Sequence, residues 1–221
     1  MKKIGKFIST AVCCLAVAII ILVFLMFYLG RDGDISKLVW TQDVLDSYNS
    51  SPEHFEVEYI KSLDDHYFTE DGYISISSTR RITSTGQWQM TIRYNESTLE
   101  SMVQDRKLSS VPSGDVFTFR LVDDGGVTYD DFSYIKTVKG RYTYYRLVFD
   151  NVNIRKVDEI DIYIYLLKDV VNGVYPEHPY ERLPLYYAEM PRDSYDYKSE
   201  LPDDRKPTQE LLPSTELKIE E

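Results

Sequence analysis

Cysteine is almost missing from this chain: there are 2 in 221 residues, Cys13 and Cys14, and none after position 14. That excludes a small fold stapled by disulfides. It also leaves no cysteine nucleophile, because both thiols lie inside an uncharged apolar run. Histidine is nearly as scarce, at His54, His66 and His178. None has a partner at metal-ligand spacing, and each stands in a polar loop or beside a proline. Glycine numbers only 10, with no glycine-rich phosphate loop and no Gly-x-Ser-x-Gly elbow. The residues therefore assign no catalytic, cofactor-binding or metal site, and no cofactor is expected. Positive charge is the last deficit. The net charge is −11; the first 30 residues carry +3 and residues 191–221 carry −4, leaving −10 for the stretch between. A surface of that sign repels phosphodiesters, so no nucleic acid is expected as a partner.

Against these absences stands one long apolar run. Residues Phe7–Leu29, 23 in all, contain no charge. At about 1.5 Å per residue a helix of that length covers roughly 34 Å, enough to cross a hydrocarbon core of about 30 Å. Lys2, Lys3 and Lys6 precede it, while Arg31, Asp32, Asp34 and Lys37 behind it are mixed in sign. The lysine excess places the N-terminal side in the cytoplasm and residues 30–221 outside. A cleaved signal peptide has a shorter apolar core that ends in small residues. This run closes on Met26-Phe27-Tyr28-Leu29-Gly30, so a retained signal-anchor is expected rather than cleavage. Cys13 and Cys14 lack a lipobox before them and read as small apolar helix residues. The expected layout is a cytoplasmic stub (1–6), a transmembrane helix (7–29), a junction (30–52), a β-rich domain (53–190) and a disordered acidic tail (191–221).

Beyond the junction, where Thr41 is placed to cap a short helix, the apolar period becomes two. Phe55, Val57 and Tyr59 alternate with glutamates, and Tyr73–Ser77 reads as a second strand. Arg80–Thr85 and Gln87–Tyr94 flank Gly86 as a hairpin. In the latter, Trp88, Met90, Ile92 and Tyr94 share one face, and Gln87, Gln89, Thr91 and Arg93 the other. Ser97-Thr98-Leu99-Glu100 forms a capping box ahead of a short helix to about Lys107. Further strands are expected at Phe117–Leu121, 127–138, Tyr144–Phe149, Ile160–Leu167 and Leu183–Glu189. Seven to nine short strands without long intervening helices predict a mainly β fold: an antiparallel sandwich or open barrel with one or two short helices, preceded by one transmembrane helix. From Pro191 onward prolines punctuate a polar, acidic segment, which predicts disorder.

Acids cluster at Asp123, Asp124, Asp130, Asp131 and at Glu70, Asp71. No calcium-loop register accompanies them, and such residues suit turns for backbone reasons. Tyrosine is abundant, at 19 copies. Tyr142, Tyr144, Tyr163 and Tyr165 are the candidate ligand-facing aromatics, against the plainer reading that tyrosine fits half-buried strand positions. Leu212-Pro213-Ser214-Thr215-Glu216 looks like a sortase signal, but position 216 is not glycine and no apolar segment follows.

The stretches QWQMTIRYNESTL (87–99), FTFRLVDDGG (117–126) and RYTYYRLVFDNVNI (141–154) resemble uncharacterised single-pass membrane proteins of Gram-positive anaerobes. That resemblance spans most of the β domain and supplies a compartment, not a functional residue. The expectation is a non-enzymatic, membrane-anchored extracytoplasmic binding or accessory module. Its partners are lipid through residues 7–29 and a membrane-protein or cell-wall component. The alternatives are carbohydrate or cell-wall recognition through surface tyrosines, and an enzyme whose site has no sequence motif.

Overall fold

The structure, a computed structural model, describes residues 14–24, 35–60, 67–105, 107, 114–153, 157–188, 190, 192–207 and 210–219. Two compact units divide the chain, Met1–Lys37 and Leu38–Glu221. In the first, residues 14–24 are helical. Among the described residues no helix is long and apolar enough to cross a membrane. The remainder of the expected span, 7–13 and 25–29, lies outside them.

The second unit is mainly β, and every strand pairing among its described residues is antiparallel. The strands are β1 (Val57–Ile60), β2 (Tyr67–Phe68), β3 (Ile74–Ile82), β4 (Gln87–Asn95), β5 (Phe117–Asp123), β6 (Thr128–Tyr129), β7 (Phe132–Lys139), β8 (Tyr142–Phe149), β9 (Glu159–Leu166), β10 (Glu181–Tyr187), β11 (Arg192–Ser194) and β12 (Leu212–Pro213). The larger sheet runs β11-β1-β3-β4-β8-β7-β12, with β2 on β3; the smaller runs β10-β9-β5-β6. One core lies between them. Trp88, Met90 and Ile92 from β4 and Tyr145, Leu147 and Phe149 from β8 meet Phe117, Phe119 and Leu121 from β5 and Ile160, Ile162 and Ile164 from β9. That shared core makes the pair a sandwich.

The alternation expected along β4 is present, but both of its faces are buried: Gln87, Gln89 and Thr91 are covered as well as Trp88 and Ile92. Two features of the larger sheet explain this. First, Tyr73–Ser77 and Arg80–Thr85 are not separate strands; they form one strand, β3, interrupted by a bulge between Ser77 and Arg80. An extra residue reverses which side the following side chains take. Ile74 and Ile76 therefore face the sandwich core, whereas Ile82 joins a second cluster with Val57, Leu38, Trp40, Val44, Leu45, Phe55 and Tyr197. Second, the helix Gln42–Ser50, capped by Thr41 as expected, lays Val44 and Leu45 into that cluster. The second short helix, Leu99–Asp105, follows a 3-10 turn whose cap is the Asn95 side chain rather than Ser97.

The tail expected to be disordered is ordered wherever it is described. β11 pairs with β1 and β12 with β7, occupying edges that would otherwise be bare. Tyr197 enters the second cluster, and its hydroxyl donates to the Phe55 carbonyl at 2.8 Å. The Lys218 amide donates to the Asp115 carboxylate at 2.9 Å. Few large apolar residues occupy this segment, but Tyr195, Tyr197, Leu201, Leu211 and Leu217 pack against the three apolar clusters, and the strand edges supply the rest. The folded unit therefore starts at Leu38 and takes in the segment set apart as a tail, rather than ending at 190.

Candidate functional site

The four candidate tyrosines do not form one patch. On β8, Tyr142 and Tyr144 alternate with the core residue Tyr145 and so lie on the outer face of the larger sheet. Tyr144 is 1% exposed there, and Tyr142 is half-buried beneath Arg93, whose guanidinium lies 5.2 Å from the ring. On β9, Tyr163 and Tyr165 lie on the outer face of the smaller sheet, the opposite side of the sandwich. Tyr165 is 4% exposed. Burial removes Tyr144 and Tyr165 from the set of rings on which a ligand can stack, leaving Tyr163 and, more weakly, Tyr142.

What covers Tyr165 is the ring of Tyr175, edge-on at 4.9 Å. Tyr175 belongs to the loop between β9 and β10, and the Arg120 guanidinium stacks 4.2 Å from it. Arg120 also pairs with Asp130 at 3.1 Å. Burial, opposed by a hydrogen bond from Thr118, raises the Tyr175 phenol above its ordinary value. Beside this ring opens a cleft of about 590 Å³ lined by Thr118, Asp130, Asp131, Tyr175, Ser214 and Thr215, with Leu167, Val170 and Leu217 as its apolar part. Asp130 and Asp131, the break between β6 and β7, also border a neighbouring depression of about 310 Å³ that reaches Asp150 and Asn151. Partial desolvation, and then the Asp43 and Asp131 carboxylates, hold the Asp150 carboxyl above its ordinary value against a hydrogen bond from Gln87.

None of the family models, curated proteins or solved structures compared with the chain matches it.

Chemically, the cleft offers one aromatic ring, two carboxylates and three hydroxyls around a short apolar floor. Such a set has the chemistry to suit a ligand that carries an apolar ring face and hydroxyl donors. The acidic turn at 123–126 has a different task. The Asp123 carboxylate accepts the Val127 amide at 2.8 Å and the Tyr129 hydroxyl at 3.1 Å, which shapes the β5–β6 connection. Among the described residues no group of three or more His, Cys, Asp or Glu is placed to hold a metal. His54 and His178 are exposed, and His66 lies outside the described residues. The sequence reading missed Tyr175, whose Gly173-Val174-Tyr175-Pro176 setting shows no period. It also set aside Ser214 and Thr215 as a chance motif; they form the wall of the cleft.

Proposed function

We propose that this chain is a membrane-anchored binding or accessory module displayed outside the cell, with its ligand held in the cleft at Tyr175. The observation that carries the membrane part is the helix at residues 14–24. Leu15, Val17, Ile19, Ile20, Ile21, Leu22, Val23 and Phe24 are 53–67% exposed. Leaving such a side chain in water rather than burying it forfeits about 1.5–3 kcal/mol. Eight such side chains, a little over half exposed, forfeit on the order of 10 kcal/mol, as much as the net stability of an ordinary domain, so lipid is the medium this surface suits. Lys2, Lys3 and Lys6 ahead of the run set the folded unit outside. Alkaline carbonate should leave the chain in the membrane pellet, and protease added to intact cells should release the sandwich. Extraction by carbonate, or a sandwich shielded from external protease, defeats this reading.

Carbohydrate as the ligand class is favoured by one further arrangement. Tyr163 and Tyr175, the latter resting on the buried Tyr165, lie along one outer face, with Arg182 above Tyr163 at 5.5 Å and Asp161 held by Arg182 at 2.6 Å. Aromatic rings flanked by charged hydrogen-bonding groups suit a sugar chain. Tyr175→Ala should lower retention on purified cell-wall glycan by at least tenfold, as loss of one stacking ring worth about 1.4 kcal/mol requires. Equal retention of wild type and variant removes the glycan reading while leaving the anchor untouched.

A further inference from the structure

The Tyr175 cleft does not end at Asp130 and Asp131, and strand register shows what lies beyond them. Phe149, the last residue of β8, pairs with Trp88 of β4 on one side and with Phe132 of β7 on the other. Strands two apart in a sheet are separated by about 10 Å. The hairpin at Gly86, the loop after β8 and the break at Asp130-Asp131 therefore stand side by side at one end of the larger sheet. The loop is tied to both neighbours. The Val152 amide donates to the Gly86 carbonyl at 3.0 Å, and the Asn153 amide donates to the Tyr129 hydroxyl at 3.3 Å.

A depression flanks that loop on either side. The one of about 310 Å³, toward β7, shares Asp130 and Asp131 with the Tyr175 cleft. The other, of about 400 Å³, lies toward β4 against Thr83, Ser84 and Thr85. Asn151 borders both and forms the divide between them. Each depression thus shares lining residues with the next, and together they make one shallow groove from the Tyr175 ring to the Gly86 hairpin. Its width across the strands alone exceeds a single sugar ring. Beyond Tyr175 its walls are mostly hydroxyls, amides and carboxylates, and among the described residues no lysine, arginine or histidine lines any of the three depressions. Carboxylates accept hydrogen bonds from hydroxyl and amide donors, and they repel a chain that carries phosphates or carboxylates of its own.

We propose that the ligand is an uncharged glycan strand several sugars long, held at Tyr175 and passing over Asn151 toward the Gly86 hairpin, with Asn151 a specificity-determining contact. The proposal rests on the glycan reading of the Tyr175 cleft and adds to it the length and charge of the strand. Asn151 has φ +57°, a left-handed conformation that asparagine tolerates and glycine adopts freely. Asn151→Gly therefore removes the side-chain amide without straining the loop.

Calorimetric titration of the full chain, in a detergent without a sugar headgroup, tests the proposal with β-1,4-linked N-acetylglucosamine oligomers. The hexasaccharide should bind at least tenfold more tightly than the disaccharide. Asn151→Gly should remove that gain and leave the disaccharide affinity unchanged, whereas Tyr175→Ala should weaken both. The hexasaccharide of hyaluronan, with a carboxylate on every second sugar, should bind at least tenfold more weakly than the uncharged one. Equal affinity for the two lengths overturns the proposal, as does hyaluronan binding that matches the uncharged oligomer. An Asn151→Gly chain that keeps the gain, or loses both oligomers alike, overturns it too. So does a wild-type chain that binds neither uncharged oligomer; the Tyr175 reading is then decided separately, by whether Tyr175→Ala changes retention on cell-wall glycan.

Discussion

Asp115 accepts three hydrogen bonds. One oxygen accepts Lys136 Nζ at 2.7 Å and the Tyr145 hydroxyl at 2.7 Å; the other accepts the Lys218 amide. Burial alone would raise its pKa, but Lys136, the Lys218 amide and Tyr145 together outweigh burial and hold it below 3.8. The Tyr145 phenol shifts the other way, raised first by burial, then by Tyr94 and by Asp115, so it stays protonated and keeps donating. A carboxyl with a depressed folded-state pKa adds stability that is complete above its unfolded value and disappears as the pH falls through the folded one. Acid should therefore destabilise wild type more steeply below about pH 4 than it does Asp115→Asn, because the variant has no such proton to bind. At neutral pH Asp115→Asn should cost about 1–3 kcal/mol by weakening its bonds to Lys136, the Lys218 amide and the buried Tyr145 hydroxyl. Urea midpoints measured at pH 3 and pH 7 give both quantities, and parallel pH slopes in the two proteins contradict the assignment.

At the scale of elements, the C-terminal segment is structural. Tyr197 meets Phe55 at 5.0 Å and Trp40 at 6.1 Å, and β11 and β12 complete two sheet edges. Ending the chain at Met190 removes all of these. Loss of a buried aromatic ring costs about 3–5 kcal/mol by itself, which for a unit of this size lowers the Tm by roughly 10 °C or more. Calorimetry of the truncated chain checks this, and an unchanged Tm would restore the segment to a loose appendage. Its order was not legible in the sequence because it rests on edges more than fifty residues away in the chain, which no local composition reports. β4, β5, β8 and β9 were legible through one uninterrupted apolar face each, and the strands expected around Val57 and Leu183 are present as β1 and β10. The bulge in β3 escaped notice because neither glycine nor proline marks Ser77–Arg80. The turn at Gly86 was legible, and it has the positive φ of +72° that favours glycine. The candidate site was less legible than the fold. Whether a tyrosine on a strand's outer face is exposed depends on what a distant loop does, and the loop at Tyr175 covers Tyr165 while opening a cleft beside itself.

For the molecule as a whole, the helix at 14–24 and the sandwich contribute separable properties. They belong to two compact units of the chain. Changes in the helix should therefore alter where the protein resides without altering how firmly the sandwich is folded. Ile20 and Leu22 sit near the middle of the apolar run, where a lysine costs about 2.5–3.5 kcal/mol of insertion free energy. The double variant Ile20→Lys, Leu22→Lys then loses roughly 5–7 kcal/mol, together with the smaller favourable contribution of the two replaced residues. If the proposed anchor holds the chain in the membrane, that suffices to move it from the pellet to the supernatant. The thermal transition of the sandwich, followed by tryptophan fluorescence because both Trp40 and Trp88 are buried in it, should stay within about 1 °C of wild type, as expected where two compact units contribute independently. A double variant that still sediments with membranes shows that the helix is not what holds the protein there. A displaced transition shows instead that the sandwich draws stability from the helix.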